Sequence, residues 1–370
     1  MASNKTKEDS SPTIKIKVMT YNLQQLYDMG PKTWWDQVNR AARIPHALKA
    51  LFSSSRDGTP DVLILNEAFN SYATQVCMAL KDVFPYQTPV IGKSTEGWTS
   101  TTGKSLSRSS NWRQNVTING GVVILSRYEI LEPRQYLYHA AHASTWDCWS
   151  NKGVAYAKVQ VPPDKNNSGG GGIVHVLGTH LQADEGHVPY DDTHQVRMEQ
   201  LRELRTFVTV ELQLPKTERV IIAGDLNVEY TTEAYRIDLE TQLRATLRYE
   251  HTLPGSFSAP HNWMTRANAR ANQQSEDRNE TLDYILVFQD YAQPKNGTGM
   301  VVVVPMKSAE SWYWRYLAQQ WPDKTDPGVH SDLSDHYPVL ASFEFWFIIL
   351  DDPFLTVAIK FWSCYEQYWL

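Results

Sequence analysis

The sequence has few cysteines and a polar N-terminus, and both features limit where the protein works. Cys77, Cys148 and Cys364 cannot all pair with one another, and their spacing matches no zinc site. The N-terminal residues 1–13 lack the apolar segment of a secretory signal. Reduced thiols and no visible leader together predict a cytoplasmic protein, or one bound peripherally to a membrane.

The sequence also lacks a membrane-spanning hydrophobic run. The C-terminal segment 346–370 is apolar and aromatic, but Asp351, Asp352 and Pro353 interrupt it. It therefore falls short of the roughly 20 consecutive apolar residues that a bilayer span requires. We predict an aromatic extension that contacts a membrane surface or packs against the rest of the chain.

Signatures of several hydrolase classes are missing as well. No G-x-S-x-G motif surrounds Ser334, so a serine-hydrolase elbow is not expected, and no H-E-x-x-H motif indicates a zinc hydrolase. The glycine run in NNSGGGG, residues 166–172, joins two predicted strands and is a connector, not a phosphate-binding loop.

Aromatic residues are abundant, with 13 Trp and 19 Tyr among 370 residues. Composition alone does not decide among a packed core, a membrane-interface contact and recognition of a cation. The net charge of -6 argues against a nucleic-acid partner, because proteins that bind nucleic acids usually display a basic face.

Predicted strands greatly outnumber predicted helices, which indicates an α+β fold with sheets packed face to face and helices outside. Helices are expected at 34–52, through Trp34, Val38, Ala42 and Leu48, and at 192–212. We predict a disordered segment 1–13 followed by a single catalytic domain, 14–345. The strand predictions are IKIKVMTY, DVLIL, GGVVILS, GVAYAKVQV, IVHVLGTHL, RVIIAGDLNV, TLDYILVF, MVVVVP and HYPVLASFEF.

Polar residues that ionise or bind metals recur next to these apolar strands. One such residue alone is usually a cap or a turn former, but several in one chain predict that their side chains converge at one rim of the sheets. The set comprises Asn22, Glu67, His180, Asp225, Asn227, Asp283, Asp335 and His336.

The chemistry of these residues indicates a metal-assisted reaction. A carboxylate directly after a fully apolar strand needs a partner, and Mg²⁺ prefers oxygen ligands such as those of Glu67 and Asn22. Asp225 and Asn227 alternate in GDLN, so an extended backbone would point both the same way, although a simple turn is an equal alternative.

The two histidines suggest an acid–base pair. His336 is the candidate general base, and Asp283 is the candidate carboxylate that orients its imidazole. His180 would stabilise the transition state or assist the leaving group. Asp335 more plausibly holds the metal or the geometry of the loop.

These segments resemble the endonuclease/exonuclease/phosphatase superfamily. Within that superfamily, their sequence motifs are similar to those of the bacterial-type neutral sphingomyelinases. The resemblance rests on the following motifs, in this order along the chain: YN at 21–22, NEAF at 66–69, NGGVVILSRYEI at 119–130, SNKG at 150–153, GTHLQADE at 178–185, GDLN at 224–227, LDYI at 282–285 and SDHYPV at 334–339.

The resemblance implies a DNase I-like, four-layer α/β/β/α sandwich of two mixed sheets, and hydrolysis of sphingomyelin to ceramide and phosphocholine. It implies that Glu67 and Asn22 bind Mg²⁺, with Mn²⁺ or Co²⁺ as alternatives, and that Asp335 joins Asp283 in supporting His336. Asp225 and Asn227 would position water and phosphate, and no obligate protein partner is expected. Secreted relatives carry a disulfide in the region of Cys148, but no cysteine lies near His187, so secretion stays an open alternative to the cytoplasmic location.

The resemblance also implies an aromatic membrane-contacting hairpin in ESWYWRYLAQQW, residues 310–321. Trp312, Tyr313 and Trp314 would enter the headgroup boundary, where aromatic rings with a polar edge are favoured. The alternative is that these rings fill a core.

Two other functions remain open from the sequence. One is a nuclease or another phosphodiesterase of the same superfamily, acting on RNA, DNA or phosphoinositides. The other is a membrane-binding module without catalysis, which the complete set of candidate catalytic residues argues against.

Overall fold

The fold consists of two large mixed β-sheets packed face to face. The computed structural model describes residues 12–26, 36–54, 58–106, 118–163, 171–246, 254–314 and 328–347, with the side chains of 233–236 left aside. The predicted segment 1–13 lies outside these ranges apart from its last two residues, and so does most of the C-terminal extension. Among the described residues, no helix is both long and apolar enough to cross a membrane.

The first sheet has six strands, and its central pair, β1 and β2, is parallel. Both neighbours of this pair, β17 and β5, run antiparallel to it. In spatial order the strands are β14 (Val301–Val303), β17 (Val339–Trp346), β1 (Thr13–Gln25), β2 (Val62–Ala68), β5 (Val123–Ser126) and β3 (Tyr86–Gln87).

The second sheet has seven strands around a parallel pair, β8 and β9. β13 runs antiparallel to β9 on the other side. In spatial order the strands are β10 (Ala245–Thr246), β13 (Asp283–Phe288), β9 (Val220–Asp225), β8 (Gly172–His180), β7 (Gly153–Val161), β6 (Ile130–Leu137) and β4 (Ser100–Gly103).

Five α-helices and two small two-stranded sheets accompany the large sheets in the described residues. The helices are α1 (Gln37–Ser54), α2 (Ser71–Ala79), α3 (Tyr190–Thr206), α4 (Glu233–Leu243) and α5 (Trp263–Ala271). One small sheet pairs β11 (Phe257–Ser258) with β12 (Asn279–Glu280), which flank α5 in the chain. The other is the β15–β16 hairpin, which pairs β15 (Lys307–Tyr313) with β16 (Val329–Asp332).

Three apolar clusters account for the layering. One lies between the sheets and combines side chains of both, such as Ile16 and Val174. A second packs the outer face of the first sheet against α1 and α2, and a third packs the outer face of the second sheet against α3 and α4. Since both sheets are covered on both faces, the predicted α/β/β/α sandwich is confirmed.

The strand sequences explain these positions. β2 and β9 are apolar along almost their whole length and buried on both faces, as central strands of covered sheets must be. α2 begins at Asn70, whose side chain accepts hydrogen bonds from the backbone N–H groups of Tyr72 and Ala73. α3 carries Asp191 and Asp192 in its first turn, where negative charge favours a helix N-terminus.

Two helix predictions require correction. The stripe proposed for α1 is wrong at two positions, because Val38 is 50% exposed and Ala42 is exposed. Leu48 is buried as predicted, together with Ile44 and Arg40, and Trp34 lies outside the described residues. The second predicted helix changes winding at its end, because α3 stops at Thr206 and a π-helical turn continues over Phe207–Glu211.

Candidate active site

The two parallel strand pairs bring the polar residues to one rim. β1 and β2 are in parallel register, with Asn22 opposite Asn66, so Asn22 and Glu67 lie at adjacent strand ends. In the second sheet His180 lies opposite Asp225 at the ends of β8 and β9. Parallel neighbours end at the same edge, which is why residues far apart in the chain meet there.

Antiparallel strands supply the remaining residues at the same rim. Asp283 begins β13 and lies directly opposite Asp225, the last residue of β9. His336 precedes β17, which pairs with β1 so that Val339 lies opposite Thr20. A strand that starts where its antiparallel neighbour ends places its first residues at the same edge of the sheet.

Asn22 joins the two sheets at the centre of the site. Its Nδ2 donates to Glu67 Oε1 at 3.0 Å and to Asp225 Oδ2 at 2.9 Å. Its Oδ1 accepts the backbone N–H of Gln24 at 2.9 Å. A single amide therefore bridges two carboxylates that come from different sheets, which is the position where a cation would hold both.

The pKa values of the two carboxyl groups reflect this crowding. Burial and the nearby charge of Asp335 raise the pKa of Glu67 to about 7. Burial and the charge of Asp283 raise the pKa of Asp225 to about 6. Negative charge is thus concentrated and poorly solvated here, and a bound cation would relieve that cost.

Two groups of side-chain donors are spaced closely enough to hold a metal ion. In each group the ligand atoms lie within 4.8 Å of one another. The groups are Glu67, His180 and Asp225, and Asp225, Asp283 and His336. Each group combines carboxylates with one imidazole. The carboxylate oxygens of Glu67, Asp225 and Asp283 are the hard donors that Mg²⁺ prefers, so the residues present are compatible with the cation that the sequence predicts.

His336 and Asp283 form a buried dyad. His336 Nδ1 lies 2.7 Å from Asp283 Oδ2, and both side chains are almost fully buried. Because an ionised carboxylate only accepts hydrogen bonds, Nδ1 carries a proton, and in the neutral form of the ring Nε2 is the nitrogen that can accept one. Nε2 faces the site, 3.8 Å from Asp225 Oδ2.

The charge state of His336 is set by opposing effects. Burial by itself lowers the pKa of this imidazole, but the carboxylates of Asp283, Asp225 and Asp335 outweigh burial and raise the pKa well above its usual value. Positive charge bound at Glu67 would oppose protonation of the ring and return the imidazole to the neutral form that a base requires.

His180 is buried and neutral. Burial, followed by the positive charges of Lys152 and His336, lowers its pKa well below the usual value. Neither ring nitrogen has a hydrogen-bond partner among the described residues, and Nε2 lies 3.8 Å from Asp225 Oδ2. A buried imidazole with no partner is costly, so this ring is poised to bond a group that enters the site.

The geometry of Asn227 differs from the prediction. The backbone is not extended through GDLN: β9 ends at Asp225, and Asn227 adopts a left-handed conformation with φ of 51°. The Asn227 N–H donates to Asp225 Oδ1 at 3.0 Å, and its Nδ2 donates to the carbonyl of Leu181 at 3.2 Å. The two side chains therefore reach the site through a tight turn, the alternative that the sequence had left open.

Asp335 lies next to the site, and two neighbouring side chains hold its carboxylate in place. Gln24 Nε2 donates to its Oδ2 at 2.7 Å, and Ser334 Oγ donates to its Oδ1 at 3.3 Å. It belongs to neither closely spaced donor group, although its charge contributes to the raised pKa of Glu67. The expectation that Asp335 ligates the metal directly stays a prediction.

Three supporting residues were not singled out from the sequence. The buried Gln24 positions Asp335, and Arg40 donates to the carbonyls of Leu23 and Gln24. Lys152 donates to the carbonyl of Leu181 at 2.8 Å, next to His180. The only signal for Lys152 was its place in the SNKG motif, because a lysine in sequence usually indicates a solvated surface.

The predicted membrane-contact residues are placed differently from expectation. Tyr313 is 52% exposed, but Trp312 and Trp314 are only 8% and 3% exposed. Trp312 donates its indole N–H to Asp36 and packs in the cluster beneath α1, and Trp314 packs against Trp263 of α5. The prediction that both tryptophans lie at the surface is wrong, because Trp312 is buried beneath α1 and Trp314 is buried against α5.

The thiols of Cys77 and Cys148 are free, and Cys364 lies outside the described residues. His187 Nε2 lies 2.7 Å from the carbonyl of Ser144, so a hydrogen bond joins the two loops in this region.

Comparison with known proteins defines the class. The model of the endonuclease/exonuclease/phosphatase family matches residues 19–336, and the chain belongs to this family. Among its relatives, sphingomyelinase C of Listeria ivanovii is 31% identical over 331 residues, covering 88% of this chain and 85% of the relative.

Two solved structures share the fold over nearly their whole length. Sphingomyelinase C from Streptomyces griseocarneus is 30% identical, with a TM-score of 0.69, and the match covers 90% of this chain and 99% of that one. A double mutant of beta toxin from Staphylococcus aureus with bound magnesium ions is 31% identical, with a TM-score of 0.69, and the match covers 88% and 99% of the two chains.

Proposed function

We propose that this protein is a magnesium-dependent phosphodiesterase that hydrolyses sphingomyelin to ceramide and phosphocholine at a membrane surface. The observation that carries the proposal is the convergence, at one rim, of a buried Asp283–His336 dyad with the carboxylates of Glu67 and Asp225. The names of the relatives, together with the magnesium bound by one of them, support the choice of substrate and metal.

Glu67 and Asp225 would hold the cation, with Asn22 between them. When bound, the metal supplies charge neutralisation at the phosphoryl group. The raised pKa values of Glu67 and Asp225 suit this role. They show that burial disfavours the two negative charges, and a bound cation would stabilise both.

His336 would act as the general base. Its Nε2 accepts a proton from the attacking water, and Asp283 stabilises the resulting imidazolium through the 2.7 Å contact at Nδ1. Displacement at phosphorus needs in-line positioning and charge stabilisation rather than a covalent nucleophile, so the absence of a serine elbow is consistent with the reaction.

His180 and Asn227 would bind the phosphoryl oxygens. A neutral His180 donates from one nitrogen, and no hydrogen bond among the described residues competes for that donor. A donor with no partner in the free enzyme stabilises the transition state most strongly, because negative charge develops on the phosphoryl oxygens there.

Membrane contact would involve the β15–β16 hairpin through Tyr313 rather than through the buried tryptophans. Tyr313 is half exposed and combines an apolar ring with a polar hydroxyl, a side chain that favours the headgroup boundary.

A turnover assay tests the proposal. Purified protein is incubated with sphingomyelin, phosphatidylcholine, single-stranded RNA or duplex DNA, with Mg²⁺ or with a chelator. We expect phosphocholine release from sphingomyelin that the chelator abolishes and that His336→Asn reduces by at least 10²-fold. His194→Asn is the matched control, because His194 also pairs with an aspartate, Asp238, at 2.8 Å but lies on α3 outside the site. Cleavage of nucleic acid alone, or activity that survives chelation, would refute the proposal.

A further inference from the structure

Two tryptophans form an unusual surface feature beside the catalytic rim. Trp146 and Trp149 belong to a short 3-10 turn, and their ring centroids lie 5.7 Å apart with the planes at 65°. Trp146 is 61% exposed, and Trp149 is half-buried. An exposed pair of large rings at an angle offers two aromatic faces to a ligand in solution.

The turn is tied directly to the loop that follows His180. Lys152 Nζ donates to Asp147 Oδ2 and to the carbonyl of Leu181, each at 2.8 Å. Asp147 Oδ2 also accepts the N–H of Ala183 at 2.8 Å. Since Leu181 directly follows His180, these bonds fix the turn with the two rings to the segment that leaves the catalytic rim.

Negative charge accompanies the two rings. Glu185 accepts the backbone N–H of Trp146 through Oε1 at 2.6 Å, so its carboxylate is fixed at the start of the turn that carries both rings. Asp147 is neutralised by Lys152, whereas the ion-pair contact of Glu185 is with His187, at 3.8 Å. Aromatic faces next to a carboxylate match the chemistry that recognises a quaternary ammonium group.

We propose that Trp146, Trp149 and Glu185 form the subsite for the quaternary ammonium of a choline phosphodiester, and thereby determine headgroup specificity. This inference rests on the proposed function and adds to it the recognition of choline, which stays bonded to phosphorus in the phosphocholine product while ceramide departs. The Glu185 carboxylate makes an anionic headgroup a poor occupant, because like charges repel.

The test compares sphingomyelin with its carbon isostere, in which 3,3-dimethylbutanol replaces choline and removes the positive charge while keeping the shape. We expect the wild-type protein to prefer sphingomyelin in kcat/KM. Trp146→Ala should lower kcat/KM for sphingomyelin roughly 2- to 30-fold and leave the isostere nearly unchanged, as expected for loss of a cation–π contact. Glu185→Gln keeps an oxygen that can accept the backbone N–H of Trp146 but removes the negative charge. It should also reduce the preference for sphingomyelin over the uncharged isostere.

Trp346→Ala serves as the matched control. Trp346 is also a partly exposed tryptophan, at 38%, but it lies at the end of β17, and its ring contacts Lys295. This variant should keep the wild-type preference for the cationic substrate. An equal loss on both substrates in Trp146→Ala would assign the ring to general membrane contact and overturn the proposal.

A binding measurement separates this inference from the proposed function. Saturation-transfer NMR with tetramethylammonium reports contact with the protein whether or not any substrate is hydrolysed. We expect a signal that Trp146→Ala abolishes and Trp346→Ala retains. If sphingomyelin is not hydrolysed but this signal is present, the proposed function fails and the cation subsite stands. If the signal is absent or unchanged in Trp146→Ala, the subsite is refuted.

Discussion

The Asp283–His336 contact makes a prediction that can be developed quantitatively. Asp283→Asn keeps the size and position of the side chain but removes the charge that faces Nδ1 at 2.7 Å. Losing a hydrogen bond to a charged partner costs about 1.5–3 kcal/mol, which corresponds to roughly 10- to 150-fold in rate. An amide can also hold the wrong tautomer of the imidazole, and in the serine proteases the equivalent change costs about 10⁴-fold. We therefore expect kcat to fall by about 10² to 10⁴.

The pH profile supplies an independent readout with a defined sign. Asp283 is the largest of the effects that raise the pKa of His336, and burial opposes it. Removing the Asp283 charge takes away the largest of these effects, so the pKa of His336 falls and the ring is neutral at lower pH. The acidic limb of kcat against pH should move to lower pH while the plateau drops.

Asp238→Asn is the control, since His194 Nε2 lies 2.8 Å from Asp238 in a pair outside the site. It should leave both kcat and the pH profile at wild-type values. The reasoning would be refuted by an Asp283→Asn variant that keeps kcat within about threefold, or by an acidic limb that does not move.

Three further predictions concern the metal, the aromatic hairpin and the buried lysine. Mg²⁺ affinity, measured by calorimetry, should weaken as pH falls through about 7 and then 6, because protons compete for Glu67 and Asp225, whose pKa values are raised; a pH-independent affinity between pH 5 and 8 would exclude these ligands. Trp312→Ala should lower the free energy of unfolding by about 3–5 kcal/mol, because it leaves a cavity in the core. Tyr313→Ala should preserve stability and weaken cosedimentation with sphingomyelin vesicles. A stable Trp312→Ala variant that binds vesicles weakly would instead restore the membrane role of Trp312. Lys152→Met should destabilise the fold by roughly 3–5 kcal/mol, because Asp147 then loses its buried partner; an unchanged thermal midpoint would contradict this.

Much of the site was predictable because strand ends are visible in a sequence. Apolar runs such as the one before Glu67 and the one before Asp225 mark buried strands, and an ionisable residue directly after such a run must find a partner. The order of the motifs then indicated the family, which the match over residues 19–336 confirms.

Other features depended on contacts between distant segments. Arg40 is fully buried and bonded to backbone carbonyls, although in sequence it is an ordinary charged residue on a helix. Trp312 and Trp314 are residue types that also occur in membrane anchors. Their rings are buried here because α1 packs over Trp312 and α5 packs over Trp314. The left-handed turn at Asn227 likewise follows from the hydrogen bonds that its side chain makes across the rim.

The sequence by itself determined which chemical groups the site contains, because residue type at a strand end is a local property. Tertiary structure decided how those groups are charged and which of them touch. The pKa of His336 rises and that of His180 falls, although both are buried histidines at the same rim. The physical reason is that charge state depends on neighbours brought from other strands: carboxylates surround His336, whereas the charges of Lys152 and His336 act on His180.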